Sequence, residues 1–170
     1  MTVDTHNARY TISESDTVEA ARFVALKRLF SRPLLPVFVG LLVIFALLAM
    51  IDGQRTYMAI ALILVLASPI AFFIVVWWLV PWQAKRHYHQ AVALAEEIST
   101  DWSDKGIGYA STHGNSRFQW SDYHGWAETA NLLILFQSES FYNLVPKRAL
   151  QLAEVEAIKR RLIEAEVSEV

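Results

Sequence analysis

Two apolar runs, Leu34 to Ile51 and Tyr57 to Trp82, constrain this chain more than anything else in it. Neither contains a charged side chain, and only Asp52-Gly53-Gln54-Arg55-Thr56 separates them. A bilayer core about 30 Å thick is crossed by about 20 mostly apolar residues of helix, so both runs are read as spans. A connector that short cannot carry the chain back across a membrane. The pattern therefore predicts a two-helix transmembrane hairpin over 34–82 (34–51 and 57–82), with everything else on one side.

The hydrophobic fraction of 54% suits a membrane protein, and a net charge of -2 gives no electrostatic reason to expect nucleic acid or a polyanionic substrate. The absence of cysteine excludes disulfides, thiol catalysis and cysteine-ligated metal. A cleaved signal peptide is not expected. The first apolar run starts well into the chain, behind an acidic and polar arm, and no small-residue cleavage site ends it.

Residues 1–33 form an N-terminal arm. Arg9-Tyr10-Thr11-Ile12-Ser13 alternates as a short strand does. Ser13-Glu14-Ser15-Asp16 then supplies capping residues ahead of Val18, Ala21, Phe23, Ala25, Leu26, Leu29 and Phe30, which recur at helical spacing. An amphipathic helix is predicted, ended or bent by Arg32-Pro33 and Pro36, so that it lies along the bilayer surface. Arg22, Lys27, Arg28 and Arg32 precede the first span and Lys85 and Arg86 follow the second, whereas the turn has only Arg55 beside Asp52. Cations gather on cytoplasmic flanks, so both termini are predicted cytoplasmic. Trp77, Trp78 and Trp82 then sit at headgroup level at the end of the second span. Pro69, after Ser68, reads as a kink compensated by neighbouring groups. With no ionisable residue inside either span, an ion or proton path is not expected.

Residues 83–97 continue as a helical stalk, and 98–170 form a cytoplasmic domain. Ile98, Thr100 and Trp102 alternate with polar residues, Asp104-Lys105-Gly106 makes a turn before Ile107 to Ser111, and His113-Gly114-Asn115 makes another before Arg117 to Trp120. Short strands follow at His124 to Thr129, Leu132 to Phe136 and Phe141 to Val145. The last element is a helix from about Ala153 to Val167, with Leu152, Val155, Ile158, Leu162 and Ile163 as its apolar side. The fold class is thus membrane α+β: a transmembrane hairpin with a small antiparallel β-meander closed by a C-terminal α-helix. That order suggests a roll of pleckstrin-homology type, an analogy of fold that carries no function.

Trp120-Ser121-Asp122, Glu128-Thr129, Leu132-Leu133-Ile134-Leu135, Phe141, and Leu144-Val145-Pro146-Lys147-Arg148-Ala149-Leu150 before a terminal helix resemble the YcxB-like family of small bacterial membrane proteins. The resemblance covers roughly the last 65 residues, and Pro-Lys-Arg is its most specific part. It departs at Gln151-Leu152, where a serine-type helix cap would be expected. It implies a pleckstrin-homology-like cytoplasmic domain on a two-helix anchor in the bacterial inner membrane, and no established chemistry.

Candidate binding residues are Trp120, Asp122, Lys147 and Arg148. Trp120 with Asp122 reads either as a ligand notch or, preferably, as a packed indole beside a turn-capping carboxylate. Lys147 and Arg148 read as contacts for an anionic headgroup or an acidic partner, reinforced by Lys159-Arg160-Arg161, or as solvated cations flanking a helix. His87 and His89 point about 200° apart on a helix and do not chelate one ion, so no metal and no cofactor is expected. No nucleophile elbow or phosphate loop is present. The expected function is that of a non-enzymatic membrane protein that touches lipid and presents its domain to a protein partner or to a second copy. An immunity protein against a membrane-active toxin and an accessory subunit of a transporter are the alternatives, separable by gene neighbourhood and by copurification with a larger polytopic protein.

Overall fold

The computed structural model describes residues 6–31, 39–40, 43–48, 55–91 and 96–170. They divide into two compact units, one of residues 1–20 with 85–170 and the other of residues 21–84. The first part of the N-terminal arm, through Ala20, therefore groups with the C-terminal domain, although the apolar runs separate them in sequence.

Four antiparallel strands form the first sheet in the order β1-β2-β3-β4: β1 (His6–Thr11), β2 (Glu97–Ser103), β3 (Gly106–Ser111) and β4 (Gly114–Gln119). β1 lies against β2 from His6 opposite Trp102 to Thr11 opposite Glu97. Its alternation turns Ala8 and Tyr10 inward, and Ile12 follows them into the core. A domain starting at residue 98 thus lacks an edge strand and the first residue of β2. Gly106 closes the β2–β3 turn at φ +156, where a Cβ would lie 2.0 Å from the Phe118 carbonyl oxygen. Only glycine fits there.

The second sheet has the order β5-β6-β7, from β5 (Gly125–Glu128), β6 (Leu132–Phe136) and β7 (Tyr142–Pro146). All five residues of β6 are buried, as expected of a central strand covered on both faces. Trp120 sits in a short 3-10 turn (Trp120–Asp122) rather than at the end of the preceding strand.

α4 (Leu152–Glu164) closes the domain, and Ile158 and Leu162 join Trp102, Trp120, Trp126, Leu133, Leu135 and Val145 in one core. Its buried line is Val155, Ile158 and Leu162, while Leu152 and Ile163 are 80% and 62% exposed. The predicted stripe was too wide because apolar character alone does not say which side of a helix meets the sheet. Gln151 still makes a capped start, its N–H donating to the Glu154 carboxylate at 2.7 Å.

α1 (Glu14–Ser31) starts as predicted. Ser13 Oγ accepts from the Asp16 N–H at 3.2 Å, and the Asp16 carboxylate accepts from the Ser13 N–H at 2.7 Å. Within the second unit, α2 (Arg55–Ile74) runs through Pro69, whose missing N–H would have met the Val65 carbonyl. The Ser68 hydroxyl donates to that carbonyl at 3.0 Å instead. A π-turn (Val75–Leu79) leads into α3 (Val80–Gln90), and the Arg22 guanidinium lies 4.9 Å from the Trp77 ring centre.

Among the described residues one helix, Leu62–Gln90, is long and apolar enough to cross a membrane. Most of the predicted first span, the turn at 52–54 and the stalk at 92–95 lie outside the described residues. The described parts of that span, 39–40 and 43–48, are helical.

Candidate functional site

Trp120 and Asp122 do not form a notch. Trp120 is 4% exposed, packs in the core beside Ile158 and Leu162, and donates from Nε1 to the Ser103 carbonyl at 3.0 Å. Asp122 accepts from the Gln119 N–H at 2.7 Å and holds the 3-10 turn. Packing and capping account for both residues.

Lys147 and Arg148 are committed to internal partners. The Lys147 ammonium donates to Glu128 Oε1 at 2.8 Å and to the Thr129 carbonyl at 2.7 Å. Arg148 forks onto both carboxylate oxygens of Asp16 at 2.7 Å, and donates to the Thr11 carbonyl at 2.8 Å. Asp16 is 2% exposed. Burial by itself would raise its pKa, but the Arg148 fork and the Ser13 N–H outweigh that and hold it below the usual carboxylate value. Lys159 joins Lys147 on Glu128, at 2.8 Å, and also pairs with Glu156. The two lysines hold Glu128 low, and hydrogen bonds to Glu128 and Glu156 push Lys159 up to about 12. Arg161 pairs with Asp104 and with Glu164. The basic step therefore ties β1, α1 and α4 to the second sheet. The cations stand together in sequence, but their carboxylates come from distant parts of the chain.

Glu19 works in the same direction from α1. Its carboxylate accepts from the Thr129 hydroxyl at 2.5 Å, from the Asn131 N–H at 3.0 Å and from the Asn131 side-chain amide at 2.8 Å. No local pattern around Glu19 announces this contact.

A cleft of about 470 Å³ opens between the first sheet and β7, lined by Tyr10, Ile12, Ile98, Tyr109, Tyr142 and Asn143 among others. Beneath it, Thr100 Oγ1 donates to the Tyr10 hydroxyl at 3.0 Å, Tyr10 donates to the Leu144 carbonyl at 3.1 Å, and the Tyr109 and Tyr123 hydroxyls lie 3.4 Å apart. Burial pushes Tyr10 up to about 12 and raises Tyr109 and Tyr123 as well. These phenols stay protonated at neutral pH, so Tyr10 and Tyr109 line the cleft as neutral hydrogen-bonding groups beside Ile12, Ile98 and Leu144. Among the described residues no group of histidines and carboxylates could hold a metal ion.

The edge of β5 carries a feature that the sequence did not announce. Beyond α4 the chain turns at Glu166 and lies parallel to β5, with a bridge between Trp126 and Glu169. The Trp126 N–H donates to the Ser168 carbonyl at 3.0 Å, the Val170 N–H donates to the Trp126 carbonyl at 2.9 Å, and Trp126 Nε1 donates to the Val167 carbonyl at 3.2 Å. The predicted helix runs to Val167, whereas it ends at Glu164 and Val167 turns into the core beside β5.

These observations define a class: a two-sheet antiparallel domain closed by a C-terminal helix and interrupted after its first strand by an apolar helical insertion. Residues 102–160 match the model of the YcxB-like protein family, which places that stretch, from β2 into α4, as a YcxB-like region. No curated protein and no solved structure matches the chain.

Proposed function

We propose that this is a non-enzymatic inner-membrane protein whose two-helix hairpin carries a cytoplasmic, pleckstrin-homology-like module, and that the module binds another protein. The observation that carries the reading is the pairing of β1 with β2 across residues 12–96. Two strands of one sheet must lie on one side of a membrane. An insertion that starts after β1 and ends before β2 therefore crosses an even number of times. If Leu62–Gln90 crosses, this parity calls for a partner span, and 34–51, the other uncharged apolar run, supports the hairpin reading. The cations flanking the insertion support a cytoplasmic location for the module.

Anchoring favours a weak protein contact by raising local concentration and fixing orientation. The cleft agrees: Tyr10 and Tyr109, held protonated by burial, offer a hydrogen-bonding surface rather than a proton-exchanging group.

The natural chain has no cysteine, so single cysteines report cleanly. Gly53→Cys is expected to react with a membrane-impermeant maleimide on intact spheroplasts, and Ser121→Cys only after permeabilisation. Reaction of both, or of Ser121→Cys alone, on intact cells overturns the topology. Copurification from mild detergent with mass spectrometry then tests for a partner, and recovery of the chain alone counts against the binding reading.

A further inference from the structure

We propose that Arg22 and Trp77 form a site for the phosphate of a lipid headgroup at the cytoplasmic end of the insertion. The inference rests on the membrane reading and gives that anchor a specific lipid contact. Both residues belong to the unit of residues 21–84. The Arg22 guanidinium lies 4.9 Å from the Trp77 ring centre, and that ring is braced by Phe73, whose ring centre is 6.0 Å away. The Arg22 Nε is closed off without a partner, and its two terminal nitrogens, equally unbonded among the described residues, are the part left open. The sequence supplies no counter-charge nearby. In residues 21–84 the one acidic side chain is Asp52, in the connector at the other end of the proposed spans. Arg22 differs in this from Lys147 and Arg148, which already face carboxylates.

Depth identifies the counter-charge. α2 has 20 residues, which is about 30 Å of helix and about the thickness of a bilayer core, so the π-turn that follows it comes out at headgroup level. Trp77, Trp78 and Trp82 are all exposed there, as indoles that meet the headgroup layer are. A partly buried guanidinium without a carboxylate is costly, whereas at that depth lipid phosphodiesters surround it. The ring holds one face of the guanidinium by cation–π attraction, which fixes its plane and leaves the terminal N–H groups to fork onto two phosphate oxygens. Ile70 and Phe73 are exposed on α2 in the two turns before Trp77, an apolar track for an acyl chain. The ligand class is therefore an anionic phospholipid, its phosphate on Arg22 and a chain along Phe73 and Ile70.

The probe is dioleoyl phosphatidylglycerol, titrated into the full chain purified without lipid in an uncharged maltoside detergent and read by native mass spectrometry as lipid retained. Hydrogen bonds to charged groups are the strong ones, so Arg22→Gln is expected to hold the first lipid about tenfold less tightly than the natural chain. Arg22→Lys keeps a charge but loses the fork, and is expected to fall between the two. Lys27→Gln, which removes a cation elsewhere on α1, is expected to retain the lipid. Dioleoylglycerol, with the same chains and no phosphate, is expected to be retained about tenfold less well or not at all. Equal retention by Arg22→Gln and the natural chain, an equal loss in Lys27→Gln, or equal retention of dioleoylglycerol overturns the proposal. Displacement of the lipid by inorganic phosphate overturns it too, because the site then takes the free ion. Should Arg22→Gln lose its thermal transition, Arg22→Lys answers alone, and binding equal to the natural chain's sinks the site. A chain that leaves membranes in alkaline carbonate without detergent fails the anchor reading; one that needs detergent but shows no Arg22-dependent lipid keeps the anchor and loses the site.

Discussion

Arg148→Ala is expected to destabilise the domain through the carboxylate it abandons. Asp16 is 2% exposed and has three strong donors, two from Arg148 and one from the Ser13 N–H. Deleting one partner of a fully buried pair costs about 3–5 kcal/mol. Arg148 is itself 50% exposed, so water reaches the vacated place and the expected cost falls to about 2–3 kcal/mol. For a domain of this size that lowers Tm by about 10 °C or more, measurable by near-ultraviolet circular dichroism of the full chain in detergent. Two further signs follow. Asp16→Asn with Arg148→Ala replaces the stranded charge by a neutral amide, so the double variant is expected to be more stable than Arg148→Ala alone. The native Asp16 pKa lies below its unfolded value, so its stabilising effect is present above about pH 4 and is lost as pH falls through the native pKa. Without the guanidinium, burial raises that pKa, and the gap between wild type and variant is expected to narrow on acidification. A double variant no more stable than the single one, with a gap unchanged between neutral and acid pH, refutes the reasoning.

Glu166→Gly is expected to stabilise by about 0.5–1 kcal/mol, seen as a higher Tm, because glycine adopts the left-handed turn without the Cβ conflict. Ile158→Asp, at a fully buried position, is expected to cost several kcal/mol in the same melt, whereas Ile163→Asp and Arg160→Asp, both at exposed positions, cost under about 0.5 kcal/mol. A chain lacking residues 6–11 exposes the β2 edge and is expected to lose its cooperative transition or to aggregate, read by light scattering during the same melt.

Local chemistry was legible where it depends on neighbours in sequence. Ser13 and Asp16 start α1 as their spacing predicts, Ser68 answers the proline beside it, and the short alternating runs after Ile98 become strands. What escaped depends on partners far along the chain. Tyr10 and Ile12 announced a short strand, but nothing near them names β2 as its neighbour, since register is chosen only once both faces have formed. The partners of the basic step escaped for the same reason: Lys147 and Arg148 stand together, and Glu128 and Asp16, which pair with them, stand elsewhere in sequence. Trp120 and Asp122 were legible, because an indole and a turn carboxylate have ordinary structural uses at that spacing.

An interrupted domain must also close over its interruption. For a flexible loop as long as residues 12–96, closure costs about 4 kcal/mol beyond a length-independent constant. This insertion is not flexible at its ends. Glu14, in the first turn of α1, meets Lys85 Nζ at 2.9 Å and His89 Nε2 at 3.2 Å in α3, and the Tyr88 hydroxyl donates to the Ile12 carbonyl at 3.1 Å. The last turns of the returning helix are therefore fastened to the residues that immediately follow β1. Fastening them shortens the effective loop that β1–β2 pairing has to close, and a proposed antiparallel hairpin shortens it further by bringing both ends back to one membrane face. The exposed pair at Glu14 adds little by charge alone. Its contribution lies in where it acts, at the point where the sheet would otherwise wait on the longest closure in the domain.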